Sequence, residues 1–185
     1  MRIAFVIFNG MTALDFVGIY DPLTRLKSMN FLPDLEWDVC ACSAVVTDSS
    51  GLRFTATIAE SSLARYDMVV VPGGFGTRTL QDDPEFISWL KTAASCKFKV
   101  SVCTGALLLG AAGFLQGRKA TTHPSAYQEL AKYCASVVDD RVVDEGDVIT
   151  ARGVTSGIDL GLYLCEKFAG TEAKEQIRRQ MDYPN

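Results

Sequence analysis

Cys103 stands where a strand-like run, Phe98-Lys99-Val100-Ser101-Val102, gives way to Thr104-Gly105-Ala106-Leu107-Leu108-Leu109-Gly110. A strand that turns directly into a helix lifts the side chain at the junction above the sheet edge. A thiol so placed meets the free N–H groups of the helix start, which favour its ionised, nucleophilic form. The alternative is an inert core cysteine. The position at the C-terminal end of a strand, where open α/β sheets hold their sites, argues against it. Pro72-Gly73-Gly74-Phe75-Gly76 follows the apolar run Met68–Val71. Glycines there either make a plain tight turn or bring backbone N–H groups up to a reacting atom as an oxyanion hole. Asp15 opens the first amphipathic stretch, either as a helix cap or as a carboxyl reaching Cys103, where it would hold the thiol proton and act as a general acid. Flanking Leu14 and Phe16 would desolvate that carboxyl and raise its pKa. His123, the single histidine, either bonds backbone at a helix start or takes part in the chemistry. In Gly153-Val154-Thr155-Ser156-Gly157, Thr155 and Ser156 are cap-type residues, and the glycines mark a close approach to the pocket.

These residues need elements to hold them, and the chain alternates buried strands with amphipathic helices. Strands are expected over residues 2–8, 37–42, 68–71, 98–102 and 119–122, with short strands within 137–151 around Glu145-Gly146-Asp147. The all-apolar run 68–71 suits a parallel strand covered on both faces. Residues 44–58 read as a hairpin about Ser49-Ser50-Gly51. Helices are expected over 15–29, 84–94, 104–112, 125–134, 155–168 and 171–181. The fold class that follows is α/β: one domain over residues 1–185, doubly wound, with a mostly parallel sheet and helices on both faces.

A chain of 185 residues buries a sizeable core without staples. With 48% hydrophobic residues, a net charge of -4 and no Lys/Arg stripe, it lacks the basic face a nucleic-acid binder needs. No apolar run reaches the ~18–20 residues of a membrane span. The first apolar run is too short for a secretory segment, so a cytoplasmic protein is expected. Six cysteines in such a chain do not imply a disulfide framework, and Cys40, Cys42 and Cys165 are expected as small core residues. One histidine leaves too few ligands to complete a zinc site, and the acidic run Asp139, Asp140, Asp144, Glu145 and Asp147 suits a solvated hairpin better than a cation loop. No metal and no cofactor is expected.

The segments Leu14-Asp15-Phe16-Val17-Gly18, Val71-Pro72-Gly73-Gly74, Ser101-Val102-Cys103-Thr104-Gly105-Ala106, residues 110–123 and Thr155-Ser156-Gly157-Ile158-Asp159 together resemble the ThiJ/PfpI superfamily. That superfamily has the flavodoxin-like, Class I glutamine-amidotransferase-like fold, and the likeness runs over residues 3–169. It is greatest to the isocyanide hydratase branch. There the nucleophile is a cysteine followed by threonine, which falls on Cys103 and Thr104, and the acidic partner is an aspartate in the first strand–helix turn, which falls on Asp15. The resemblance places Gly18, Gly73, Gly74, His123 and Thr155 at the oxyanion site and pocket. In the peptidase-like branch a histidine directly follows the cysteine; Thr104 in its place argues against proteolysis. Pro124 stands where a tryptophan is frequent, and no proline directly follows Gly18, so pocket shape departs from the family pattern.

The activity this resemblance implies is hydration of an isocyanide. Cys103 attacks the terminal carbon, Asp15 supplies a proton, the Gly74 and Thr104 N–H groups polarise the site, and water resolves the thioimidate to an N-substituted formamide. The resemblance also implies a homodimer acting on a small molecule, with no nucleic acid and no membrane. Two alternatives stay open. One is a glyoxalase- or deglycase-like thiol enzyme acting on aldehydes, in which His123 matters more. The other is a ligand- or redox-sensing domain, in which oxidation of Cys103 to a sulfinate is the signal.

Overall fold

The computed structural model describes residues 1–184. The chain starts on β1 (Arg2–Val6), whose Ile3, Ala4, Phe5 and Val6 are fully buried, and crosses through α1 (Ala13–Ser28) to β2 (Glu36–Ala41). A hairpin of β3 (Val45–Thr47) and β4 (Arg53–Thr55) follows, then a two-residue strand, β5 (Ile58–Ala59). The all-apolar β6 (Met68–Val71) leads through α2 (Thr77–Leu80) and α3 (Pro84–Lys91) to β7 (Phe98–Val102), which turns directly into α4 (Gly105–Ala111). The remainder is β8 (Lys119–Ala120), α5 (Tyr127–Leu130), β9 (Ser136–Val137), β10 (Val142–Asp144), β11 (Val148–Ala151) and α6 (Ser156–Gln180).

Seven strands make one sheet in the order β10-β11-β7-β6-β1-β2-β5, parallel throughout except for β10 against β11. Helices cover both faces, with α1 lying along α6 and α4 packed among α2, α3 and α5. Strands masked on both sides must be apolar on both, which is why Ile3–Val6, Met68–Val71 and Val148–Ala151 read as unbroken buried runs. From β1 the chain moves outward one way, to β2; from β6 it moves the other way, to β7. The connections diverge between these neighbouring strands and leave a crevice at their C-terminal ends.

Most expected elements are present, with differences that have local causes. The strand expected over 119–122 ends at Ala120, because Thr121 and Thr122 turn toward the sheet: Thr121 N donates to Thr150 Oγ1 and Thr122 Oγ1 donates to Cys103 O. The helix expected over 125–134 shrinks to a 3-10 turn, Pro124–Ala126, and the four-residue α5, since Ala126 leaves helical geometry at φ -115°. The two C-terminal helices run end to end within α6 and are separated by Gly170 at φ 85°. Cys40 and Cys165 are buried as expected, but Cys42 falls just beyond β2 and is exposed. Among the described residues no helix is long and apolar enough to cross a membrane, and no cluster of three or more potential metal ligands occurs.

Candidate active site

Cys103 is the junction of β7 and α4, with φ at 55°, a left-handed value that costs a non-glycine residue about 1–2 kcal/mol. Its surroundings hold it there. The Cys103 N–H donates to Ala151 O and Arg152 O, both at 3.0 Å, and the Thr122 hydroxyl bonds its carbonyl at 2.8 Å. Strand β11 and the segment after β8 therefore grip the peptide groups on both sides of the thiol.

Asp15 lies in the first turn of α1, where Thr12 occupies the cap position, so the carboxyl is not the cap. It is fully buried. Oδ2 accepts the Gly73 N–H at 3.1 Å, while Oδ1 is enclosed without a hydrogen-bond partner. Burial pushes the Asp15 carboxyl up to about 7, against smaller lowering by the Cys103 thiol and the Gly73 N–H. Burial first, then the charge of Asp15, push the Cys103 thiol up to about 12, and the Thr104 N–H and hydroxyl do not offset them. The two groups compete for one negative charge and titrate as a pair. The first N–H groups of the seven-residue α4 favour the thiolate, while burial and the charge of Asp15 oppose it.

The glycine loop after β6 brings the pair together. A Cβ on Gly73 would sit 2.5 Å from Thr104 N and 2.8 Å from Asp15 Oδ2, so only glycine lets the loop pass between carboxyl and elbow. The Gly74 N–H, expected to polarise the site, is taken by Thr104 Oγ1 at 2.9 Å, and the Thr104 hydroxyl returns a bond to Gly74 O at 3.1 Å. The Thr104 side chain thus clamps loop to elbow, and its backbone N–H is the donor beside the thiol.

Cys103 opens on a cleft of about 160 Å³, lined also by Thr12, Gly74, Phe75, Arg78, Thr104, His123, Ser125 and Val154. A larger depression of about 490 Å³ beside Tyr163 and Arg178 contains no thiol. His123 bonds backbone at the start of the 3-10 turn, as one of its two readings had it, and it also lines the cleft. Its Nδ1 accepts the Ser125 N–H at 3.2 Å and lies 2.8 Å from Ser125 Oγ, which leaves the ring proton on Nε2. Its Cδ2 fills the space a Cβ on Gly153 would need, and Cys103 Sγ is 3.3 Å from that same point, so imidazole and thiol are neighbours. Three expected pocket residues do not line the cleft: Gly73 lies behind it, between the Asp15 carboxyl and Thr104, and two others are further off. Gly18 is buried on the face of α1 that meets α6 at Ile158, and Thr155 is exposed, its hydroxyl bonded by Arg141 at 3.0 Å. Arg78, Thr12 and Ser125 line the cleft without having been expected there; no motif marks them, and only the path of the loops brings them in.

The DJ-1/PfpI family matches residues 1–167. The chain belongs to the DJ-1/PfpI family. Among its relatives, isonitrile hydratase of Pseudomonas putida is 36% identical over 185 residues, 99% of this chain and 78% of that protein. The crystal structure of a ThiJ/PfpI family protein from Pseudomonas syringae superposes with a TM-score of 0.87 at 32% identity, over 100% of this chain and 76% of the other. The HTH-type transcriptional regulator CdhR of Pseudomonas aeruginosa is 29% identical over 95% of this chain but 53% of its own length. DJ-1/PfpI proteins therefore include a hydratase and a regulator, and the solved ThiJ/PfpI family protein shares this chain's fold.

Proposed function

We propose that the protein adds water to an isocyanide to give an N-substituted formamide, with Cys103 as nucleophile and Asp15 as proton carrier. The observation that carries this reading is the buried Asp15–Cys103 pair beside the cleft. The likeness to isonitrile hydratase along nearly the whole chain supports the choice of substrate class. As Cys103 Sγ bonds to the terminal isocyanide carbon, the thiol proton passes to Asp15 and from there to that carbon, leaving a neutral thioimidate. Water then adds to the thioimidate carbon, the C–S bond breaks, and the sulfur regains a proton as the formamide leaves. A carboxyl held near 7 can both take and give that proton at neutral pH. The Thr104 N–H steadies the sulfur, and His123, the imidazole neighbouring it, is a polar side chain placed to hold the attacking water.

The same reading makes the protein a homodimer acting on a small molecule in the cytoplasm. Leu14 and Val17 on α1, with Val45 and Leu52 on and beside the neighbouring hairpin, are exposed apolar side chains that a second copy would cover. Six free cysteines suit a reducing compartment. Aldehyde chemistry is the second reading, favoured by the imidazole beside the thiol: the sulfur would add to the aldehyde carbon and His123 would serve the oxygen. Turnover of a simple aryl isocyanide separates the two. Wild type is expected to form formamide catalytically and Cys103→Ala none. No turnover by wild type would move the assignment to aldehydes or to sensing.

A further inference from the structure

We infer that Arg78 selects substrates that carry a carboxylate or similar planar anion away from the reacting carbon. The inference rests on the hydratase reading only for the identity of the reactive group. Arg78 sits in α2, directly after the glycine loop, and lines the cleft together with Cys103. Among the described residues that line it, Arg78 alone carries a permanent charge; Thr12, Gly74, Phe75, Thr104, Ser125 and Val154 carry none. Asp15 is fully buried and does not line the cleft. A ligand entering this space therefore meets one cation, and no carboxylate is among the residues that line it.

The guanidinium is held in place. Its Nη2 donates to Glu129 Oε1 at 3.2 Å, from α5, and its Cζ lies 5.9 Å from the centre of the Phe75 ring. That contact engages a single nitrogen among the described residues, leaving other donors of the planar fork for a ligand. The side chain is one-third exposed, at 33%, so it is neither locked in the core nor loose in solvent. Phe75, 78% exposed, and Val154 give the same cleft apolar walls. A guanidinium with free donors beside apolar walls fits an apolar or aromatic stem that ends in a carboxylate. The competing reading is that Arg78 only staples α2 to α5 through Glu129.

The test compares 4-isocyanobenzoate with uncharged phenyl isocyanide and reads the ratio of their kcat/KM values. The ratio, unlike either rate, is not moved by a general loss of fold. It is expected to fall about fivefold in Arg78→Gln, in line with loss of a partly exposed charge pair. Arg78→Lys should retain part of it, and Glu129→Gln, which removes the competing carboxylate, should raise it. An unchanged ratio in Arg78→Gln overturns the inference and leaves the staple. If neither isocyanide is turned over, the hydratase reading fails by itself. The ratio of Cys103 alkylation rates by iodoacetate and iodoacetamide then decides on Arg78: a fall in Arg78→Gln sustains it, and equal ratios in wild type and variant overturn it.

Discussion

At the scale of single residues, Asp15 is a carboxyl that the fold buries completely and that the proposed chemistry uses. Its folded value of about 7 lies above its ordinary 3.8, so the folded protein binds that proton more tightly than the unfolded chain. Stability from this group is fully present below the ordinary value, falls as pH rises through the window, and is lost above about 7. Asp15→Asn removes the burden while keeping an oxygen for the Gly73 N–H. The variant should therefore melt at least about 4 °C above wild type at pH 8, with the difference closing toward pH 4, as thermal unfolding at both pH values would measure. A lower melting temperature at pH 8 would mean that the charge is stabilised by something the structure does not place beside it. Both members of the pair were legible in the sequence, because the carboxyl opens the first helix and a strand leads straight into the thiol. Of the two residues expected to bury the carboxyl, Phe16 is buried but Leu14 faces out, and the enclosure comes from elsewhere in the fold. The ionisation of Cys103 was not. Helix-start N–H groups can be read from residue order, whereas the burial that outweighs them depends on the packing of β11, the glycine loop and α1 around one sulfur.

At the scale of elements, the site is a meeting of three strand ends that sequence can name but cannot join. The apolar run of β6, the alternating run of β7 and the glycines after β6 were readable, and so was the turn at Cys103. The bond between Thr104 Oγ1 and Gly74 was hidden, since it links residues 30 apart and converts an expected oxyanion donor into a structural clamp. Gly18 and Thr155 were misplaced for a related reason: being near a motif says nothing about which face of α1 or which side of the α6 start a residue occupies. The clamp makes Gly73→Ala informative. Its methyl would press on the backbone N of Thr104, which cannot rotate away as a side chain can. The variant should lose about 1–3 kcal/mol in urea unfolding. It should also lose at least ~10-fold in kcat as the elbow shifts from Asp15. Wild-type stability with wild-type kcat would show that the loop and elbow are not in register-critical contact.

At the scale of the whole molecule, alternation of strands and helices was enough to expect a parallel sheet with both faces covered, as found. Strand order was beyond reach, because nothing in a linear pattern says that β1 lies between β6 and β2. That order creates the crevice into which α1, the glycine loop and the cysteine elbow all point their chemistry. The exposed apolar residues on α1 and the hairpin border the same end of the fold. Replacing Leu14 and Val17 together with Glu should shift the protein from dimer to monomer in light scattering, and a wild-type monomer at micromolar concentration would remove the dimer from the account. The most direct test of the central claim is intact-mass and peptide mass spectrometry of enzyme acid-quenched during isocyanide turnover. The account predicts a mass gain of one isocyanide located on Cys103 and absent from Cys103→Ala. Turnover without any adduct in wild type and undiminished in Cys103→Ala, or an adduct on another cysteine, would contradict it.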